Sequence, residues 1–141
     1  MVFKVENKYL KAIGEMVAMT PMRGSRSRHR QRFIRDINDQ LNLISAEREE
    51  LIKEFAVLDE TGEALSESNG SVVFPDEVSE QDCVKALNEL QSEEFILEGE
   101  EKLTMLKKVY LGLEESDVML SGEDAVAYDL LMEKIEEALE V

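Results

Sequence analysis

The feature that most constrains the fold is the run from Arg28 to Asp59, which contains neither glycine nor proline. Apolar residues recur through it at alternating spacings of three and four, the heptad pattern of a helix that packs along one side. The seam positions are Ile34, Ile37, Leu41, Ile44, Arg48, Leu51, Phe55 and Leu58. Such a helix is about 48 Å long. The pattern therefore predicts one long helix over 28–59, whose seam is buried against other helices of the chain or against a second copy.

Shorter elements are predicted on either side of this helix. Asn69-Gly70 is a strong hairpin signal and predicts strands near 63–67 and 72–75, although the polar first strand leaves a loop open as the alternative. The "EEFILE" stretch is either a strand or an apolar turn. The predicted elements are helices 6–19, 28–59, 79–92, 100–113 and 121–139 and a hairpin over 63–75. We expect a single domain, 1–141, mainly α: an antiparallel helical bundle around the long helix, with a small β-hairpin insertion.

Charge is distributed unevenly along the chain. The whole chain carries −16, but residues 1–35 hold nine Lys and Arg against two acids, a net +7, whereas residues 36–141 carry −23. Such asymmetry indicates a docking or self-association polarity. The acidic bulk repels polyphosphate, so the composition disfavours nucleic acid as a partner.

The basic charge is concentrated in "RGSRSRHRQRF" and the residues just after it. The six arginines are Arg23, Arg26, Arg28, Arg30, Arg32 and Arg35. Two interpretations remain open: the arginines pair with the protein's own acidic surface, or they form a site for an external anion, since arginine binds carboxylate and phosphate in a bidentate way. We predict that they neutralise carboxylates, either within the chain or on a protein partner.

No arrangement of residues in the sequence predicts catalysis or metal binding. His29 stands alone among arginines, and a base or a ligand set needs partners. Cys83 has acidic neighbours and an apolar stripe, which is typical of a buried thiol and not of a nucleophile. The acidic stretch after Asp59 lacks the glycine and glutamate positions of a calcium-binding EF-hand loop. We therefore expect no enzyme activity, no catalytic residues, no metal and no cofactor.

The order of several short motifs resembles a known family. These motifs are Glu47–Ile52, Asp59–Gly62, Leu87–Glu94 and Leu120–Asp124. In this order the chain resembles short proteins of unknown function from bacteriophages and prophages of low-GC Gram-positive bacteria. That family has no assigned catalytic residues, so the resemblance implies no site.

Two functions are consistent with these patterns. The first is a non-enzymatic helical interaction protein of phage or prophage type, such as an accessory of virion or tail assembly. The alternative is an acidic inhibitor of a host polymerase, nuclease or defence complex that imitates a phosphate backbone.

The N-terminus lacks the apolar core of a signal peptide, and no stretch is long enough to span a bilayer. We expect protein partners, a homo-oligomer, no membrane contact, and a location in the host cytoplasm or the virion.

Overall fold

The computed structural model describes residues 2–140 and confirms a mainly helical fold with a minor β component. Within that range the chain forms five α-helices and two strands, and a short 3-10 turn joins the first strand to the first helix. The elements are β1 Val2–Glu6, α1 Leu10–Met19, α2 Gly24–Phe55, α3 Glu77–Ser92, β2 Glu94–Glu98, α4 Glu100–Glu114 and α5 Gly122–Leu139.

The chain folds into two compact units. The first unit contains the chain up to Leu41 and again from Glu94 onward, and the second is Asn42–Glu93. The helix α2 begins in the first unit and ends in the second, so each unit builds on one part of it.

The sheet of the first unit joins strands that are far apart in sequence. β1 pairs antiparallel with β2, and Phe3 is opposite Leu97 while Val5 is opposite Phe95. These four side chains are buried, and Lys4 between them is exposed, which is the alternation of a half-buried strand. The sequence left the "EEFILE" stretch open as strand or turn, and the structure makes it a strand.

Aromatic rings form the centre of the first unit. The ring of Phe3 meets the rings of Phe33 and Phe95 edge to face, at centroid distances of 6.1 and 6.4 Å, a favourable geometry for aromatic pairs. Helix α5 packs against α1, β1 and α4 and supplies Leu131 and Ile135, which are fully buried. This interior fixes the N-terminal part of α2, which carries most of the arginines.

The second unit has a smaller interior and a turn-rich connection. Its buried apolar side chains are Ile44, Cys83 and Leu90. Between α2 and α3, the carboxylate of Asp59 accepts bonds from the backbone N–H groups of Thr61 and Glu63, at 2.8 and 3.1 Å. The hydroxyl of Thr61 donates to the same carboxylate at 2.6 Å, and this bond is the main cause that lowers the pKa of Asp59, ahead of the backbone bonds that close the tight turn.

The hairpin predicted over 63–75 forms only in part: the chain pairs antiparallel across the turn, but through isolated bridges and not as regular strands. The segment forms two isolated antiparallel bridges, Leu58 with Ala64 and Ser66 with Val72. The turn at Asn69-Gly70 does occur, with a positive φ of 86° at Gly70. The residues before the turn are too polar to bury a strand face, which explains why the pairing stays local.

Several predicted helix bounds need correction. The helix predicted over 6–19 begins at Leu10, because the residues before it enter β1 and the 3-10 turn. The long helix has the predicted length of 32 residues but lies four residues earlier, Gly24–Phe55. It ends there because Val57 leaves the helix and donates its N–H to the carbonyl of Val73, at 2.9 Å.

The start of α3 also differs from the prediction over 79–92. The helix begins at Glu77, and its N-cap is Asp76, whose carboxylate accepts the N–H of Ser79 at 2.7 Å. Ser79, which was predicted to open the helix, is therefore its third residue. The helices predicted over 100–113 and 121–139 agree with α4 and α5 to within one residue at each end.

The Asp76 cap gives a direct test of this helix start. Asp76→Ala leaves the Ser79 N–H without its partner, so the midpoint of thermal unfolding is expected to fall by a few degrees. Asp82→Ala is the matched control, since it removes one exposed carboxylate from the same helix. Equal melting temperatures for the two variants would contradict the cap.

Candidate functional site

The exposed face of the N-terminal part of α2 is basic. Arg28, Arg32 and Arg35 are all exposed on it and lie four and three residues apart, on one side of the helix. None of the three forms an ion pair within residues 2–140. We call these three side chains the arginine face. Their charges are available to a group outside the chain.

The other three arginines of the basic segment have different surroundings. Arg26 forms an ion pair with Glu115, which follows α4. The Nη1 of Arg30 donates to the carbonyl of Thr20 at 2.5 Å, so this arginine bonds to backbone and not to a carboxylate. Arg23 is exposed and precedes the helix. The structure therefore assigns one of the six arginines to an internal carboxylate.

Helix α4 supplies further cations beside the arginine face. Lys102 forms an ion pair with Asp36 at 2.6 Å, and together with the Arg26 pair it sets the two helices in opposite directions. A polar cleft of about 320 Å³ lies between them. Its lining is Arg32, Arg35, Asp36, Glu101, Lys102 and Met105.

His29 lies inside this basic region. Burial is the main cause that lowers its pKa below the ordinary value of 6.5, and the charges of Arg32, Arg28 and Lys108 lower it further. Its Nδ1 is buried and has no hydrogen-bond partner within the described residues. The neutral form therefore predominates near neutral pH, and a neutral ring adds no charge to the arginine face.

The lowered pKa of His29 makes stability depend on pH with a definite sign. The unfolded chain takes up the proton at its ordinary pKa, before the folded chain does, so unfolding becomes easier as the pH falls from 6.5 toward the lowered folded pKa. Above pH 6.5 the neutral His29 makes its full contribution to the free energy of unfolding. Urea unfolding above and below this pH should show the loss in the wild type. In His29→Gln the pH dependence is expected to be smaller, and identical curves would exclude this role of His29.

The predicted seam of α2 is buried unevenly. Ile37 and Ile44 are buried, whereas Arg48 and Leu58 are exposed, and Leu58 lies beyond the end of the helix. The partly exposed seam residues are Ile34, Leu41, Leu51 and Phe55. The seam missed Phe33, which is fully buried. The Phe33 side chain belongs to the aromatic centre of the first unit. It projects from a side of α2 that the seam positions do not include.

An apolar groove rimmed by glutamates lies in the second unit, between α2 and α3. Its volume is about 440 Å³. The floor is formed by Ala46, Leu51, Ala86 and Leu90. The rim consists of five exposed carboxylates, Glu47, Glu50, Glu54, Glu89 and Glu93. We call this feature the acidic groove.

The charges of the acidic groove are almost unopposed. Within residues 2–140, Glu50 is the one rim glutamate that contacts a cation, Lys53 at 4.0 Å, which is the limit of an ion pair. The second unit holds fourteen Asp and Glu against three Lys and Arg, a net −11. Sequence reasoning missed this groove, although the spacing of three and four in Glu47, Glu50 and Glu54 places them along one face of a helix.

Cys83 is buried in the second unit, as the sequence predicted. Burial raises the pKa of its thiol, and the charge of Arg48 opposes that shift only in part. The thiol is therefore held in its protonated, unreactive form. Within residues 2–140 no group of three or more His, Cys, Asp or Glu side chains is arranged to hold a metal ion.

The fold and its surfaces define a class: a mainly helical protein with a small antiparallel sheet and two surfaces of opposite charge. The chain belongs to the family described as Protein of unknown function (DUF1617), whose model matches residues 1–140. No curated protein and no solved structure shows a significant match. Of the helices in residues 2–140, none combines the length and the apolar character needed to cross a membrane.

Proposed function

We propose that this chain is a non-enzymatic interaction protein of phage or prophage type, which serves as an accessory of virion or tail assembly in the host cytoplasm. The observation that carries the proposal is the pair of opposite surfaces: the arginine face, and the acidic groove with its apolar floor. Like charges held side by side without counter-ions repel one another. A bound partner relieves that repulsion, and an apolar floor favours a protein as the partner.

The chemistry of the two reactive side chains supports binding over catalysis. A nucleophile needs a base beside it and a lowered pKa, whereas the pKa of Cys83 is raised. A metal site needs several converging ligands. His29 is instead surrounded by cations, which repel a metal ion.

The acidic groove also favours a second candidate, an inhibitor that imitates nucleic acid. Glu47, Glu50 and Glu54 rise along α2 by about 4.5–6 Å per step, so they form a row of negative charge comparable to a phosphate backbone. The target of such an inhibitor is a basic nucleic-acid groove of a host polymerase, nuclease or defence complex.

The two candidates predict different locations, which mass spectrometry can compare. An assembly accessory is expected in or with purified phage particles, or with their assembly intermediates. A host-directed inhibitor is expected in the infected-cell lysate and bound to a nucleic-acid enzyme. Absence from particles and intermediates, together with inhibition of such an enzyme that nucleic acid relieves, would replace the first candidate by the second.

A further inference from the structure

We propose that α2 is a self-association surface, on which the arginine face of one copy contacts the rim glutamates of a second copy that runs antiparallel. The contacting pairs are Arg28 with Glu54, Arg32 with Glu50, and Arg35 with Glu47. The inference rests on the proposed function in one respect, that the charged surfaces bind protein. It goes further by naming the partner, a second copy of this chain, and the register.

The register follows from the spacing of the charges along α2. Going up the chain, the arginines are separated by four and then three residues. Going down the chain, the glutamates are separated by the same intervals, from Glu54 to Glu50 and then to Glu47. Two antiparallel helices therefore bring all three pairs to the same heights along the axis, because each residue rises 1.5 Å.

The same register also satisfies two-fold symmetry. Each of the three pairs is centred on position 41, so a two-fold axis at the height of that position relates one set of three contacts to a second, identical set. One continuous helix carries both halves of the contact, with its arginines in one part and its glutamates in the other. An isologous dimer of this kind closes on itself, which limits assembly to two copies.

A parallel arrangement in register is disfavoured by the same charges. It would place each arginine beside the arginine of the other copy and each glutamate beside a glutamate, which is repulsive. The antiparallel arrangement instead offers charge-assisted hydrogen bonds, and arginine can donate two of them to one carboxylate. The distribution of charge along α2 thus selects one orientation.

Leu43 adds an apolar contact to this surface, beside the exposed Asp39 that lies four residues before it on the same side of α2. Leu43 is 51% exposed. In the proposed register the two Leu43 side chains lie about 6 Å apart along the axis, close enough to contact each other. Ala46 is also exposed, and the methylene stems of the arginines can cover the floor at Ala46 and Leu51 while their charged ends reach the rim.

The test uses two complementary charge-reversed variants of the full chain. One is Arg28→Glu with Arg32→Glu and Arg35→Glu, and the other is Glu47→Arg with Glu50→Arg and Glu54→Arg. Each variant has like charges along the whole face and is expected to be a monomer. An equimolar mixture restores every pair, so it should form a heterodimer. Sedimentation at low ionic strength then reports about 32 kDa, twice the 16.1 kDa of one chain.

A matched control carries three reversals away from this face, Glu49→Arg with Glu60→Arg and Glu67→Arg, all at exposed positions. It should keep the mass of the wild type. A mixture that stays at the monomer mass, with both variants folded by circular dichroism, would overturn the proposal. So would a wild type that sediments as a monomer at every concentration, or loss of dimer in the control as well.

The result of the charge-reversal experiment is independent of the test of the proposed function. A monomeric protein found in purified particles would refute the α2 dimer and leave the proposed function standing. A dimer with the expected response to charge reversal, absent from particles and assembly intermediates, would refute the assembly role alone.

Discussion

Phe33→Ala is expected to lower the free energy of unfolding by about 3–5 kcal/mol, the usual cost of truncating a buried aromatic side chain. Phe33 is fully buried, and its ring meets Phe3 edge to face at 6.1 Å. Removing it opens a cavity where α2 packs on the sheet of the first unit. Urea unfolding followed by circular dichroism measures the loss.

The control for Phe33→Ala is Leu43→Ala on the same helix. Leu43 is 51% exposed, so in the monomer at high ionic strength this change should shift stability by no more than about 0.5 kcal/mol. If the two variants unfold at the same urea concentration, Phe33 does not anchor α2 in the first unit.

Ile37→Ala is expected to cost about 2–5 kcal/mol. Ile37 is fully buried, and it packs against α1 at Gly14: a Cβ placed on Gly14 would lie 3.3 Å from Ile37 Cγ2. The absence of a side chain at Gly14 thus makes room for this isoleucine. Losing the isoleucine leaves a gap that the two helices can close only in part.

Leu51→Ala is the informative comparison for Ile37→Ala. Both residues occupy seam positions, but Leu51 is only half-buried, at the floor of the acidic groove. Its truncation should therefore cost clearly less when measured in the same way. Equal losses in the free energy of unfolding would mean that the seam is buried evenly along α2, contrary to the burial seen in the structure.

The long helix could be predicted because its signal is local. Absence of glycine and proline and a regular apolar spacing act within a few residues of one another, and they gave the correct length. The ends were displaced by four residues because they depend on contacts elsewhere: the turns that follow Phe55 are held by Val73, which is 18 residues further on. The depth of burial at each seam position likewise depends on partners that the seam does not encode.

The sheet could not be found in the same way. β1 and β2 are each five residues long, and some 90 residues separate them, so neither shows a strand pattern long enough to recognise. Each is stabilised by the other and by the aromatic rings beneath them. The hairpin signal at Asn69-Gly70, in contrast, gave the turn but not the strands, because a turn depends on two residues and a strand depends on a buried face.

The arginine segment is visible in the sequence, but the sequence does not show which of its arginines bond within the chain. Only the structure separates Arg26 and Arg30, which bond within the chain, from the exposed arginine face. The acidic groove was hidden for a different reason. Glutamates at helical spacing are common on solvated surfaces, and it is the neighbouring floor of Leu51 and Leu90 that makes these distinctive.

Site-directed cross-linking tests whether the arginine face of α2 contacts the rim glutamates of a second copy. The variant Arg32→Cys with Glu50→Cys places thiols at positions that face each other in the proposed register. The native Cys83 is buried and its raised pKa keeps it unreactive. Treatment with a short bismaleimide is therefore expected to give a covalent dimer of about 32 kDa, from two chains of 16.1 kDa.

The control Arg32→Cys with Glu49→Cys moves one thiol off the face. Peptide mapping should then find little cross-linking between positions 32 and 49. Failure to link position 32 to position 50 across copies, or equal linkage of 32 to 49, would rule out the proposed α2 dimer.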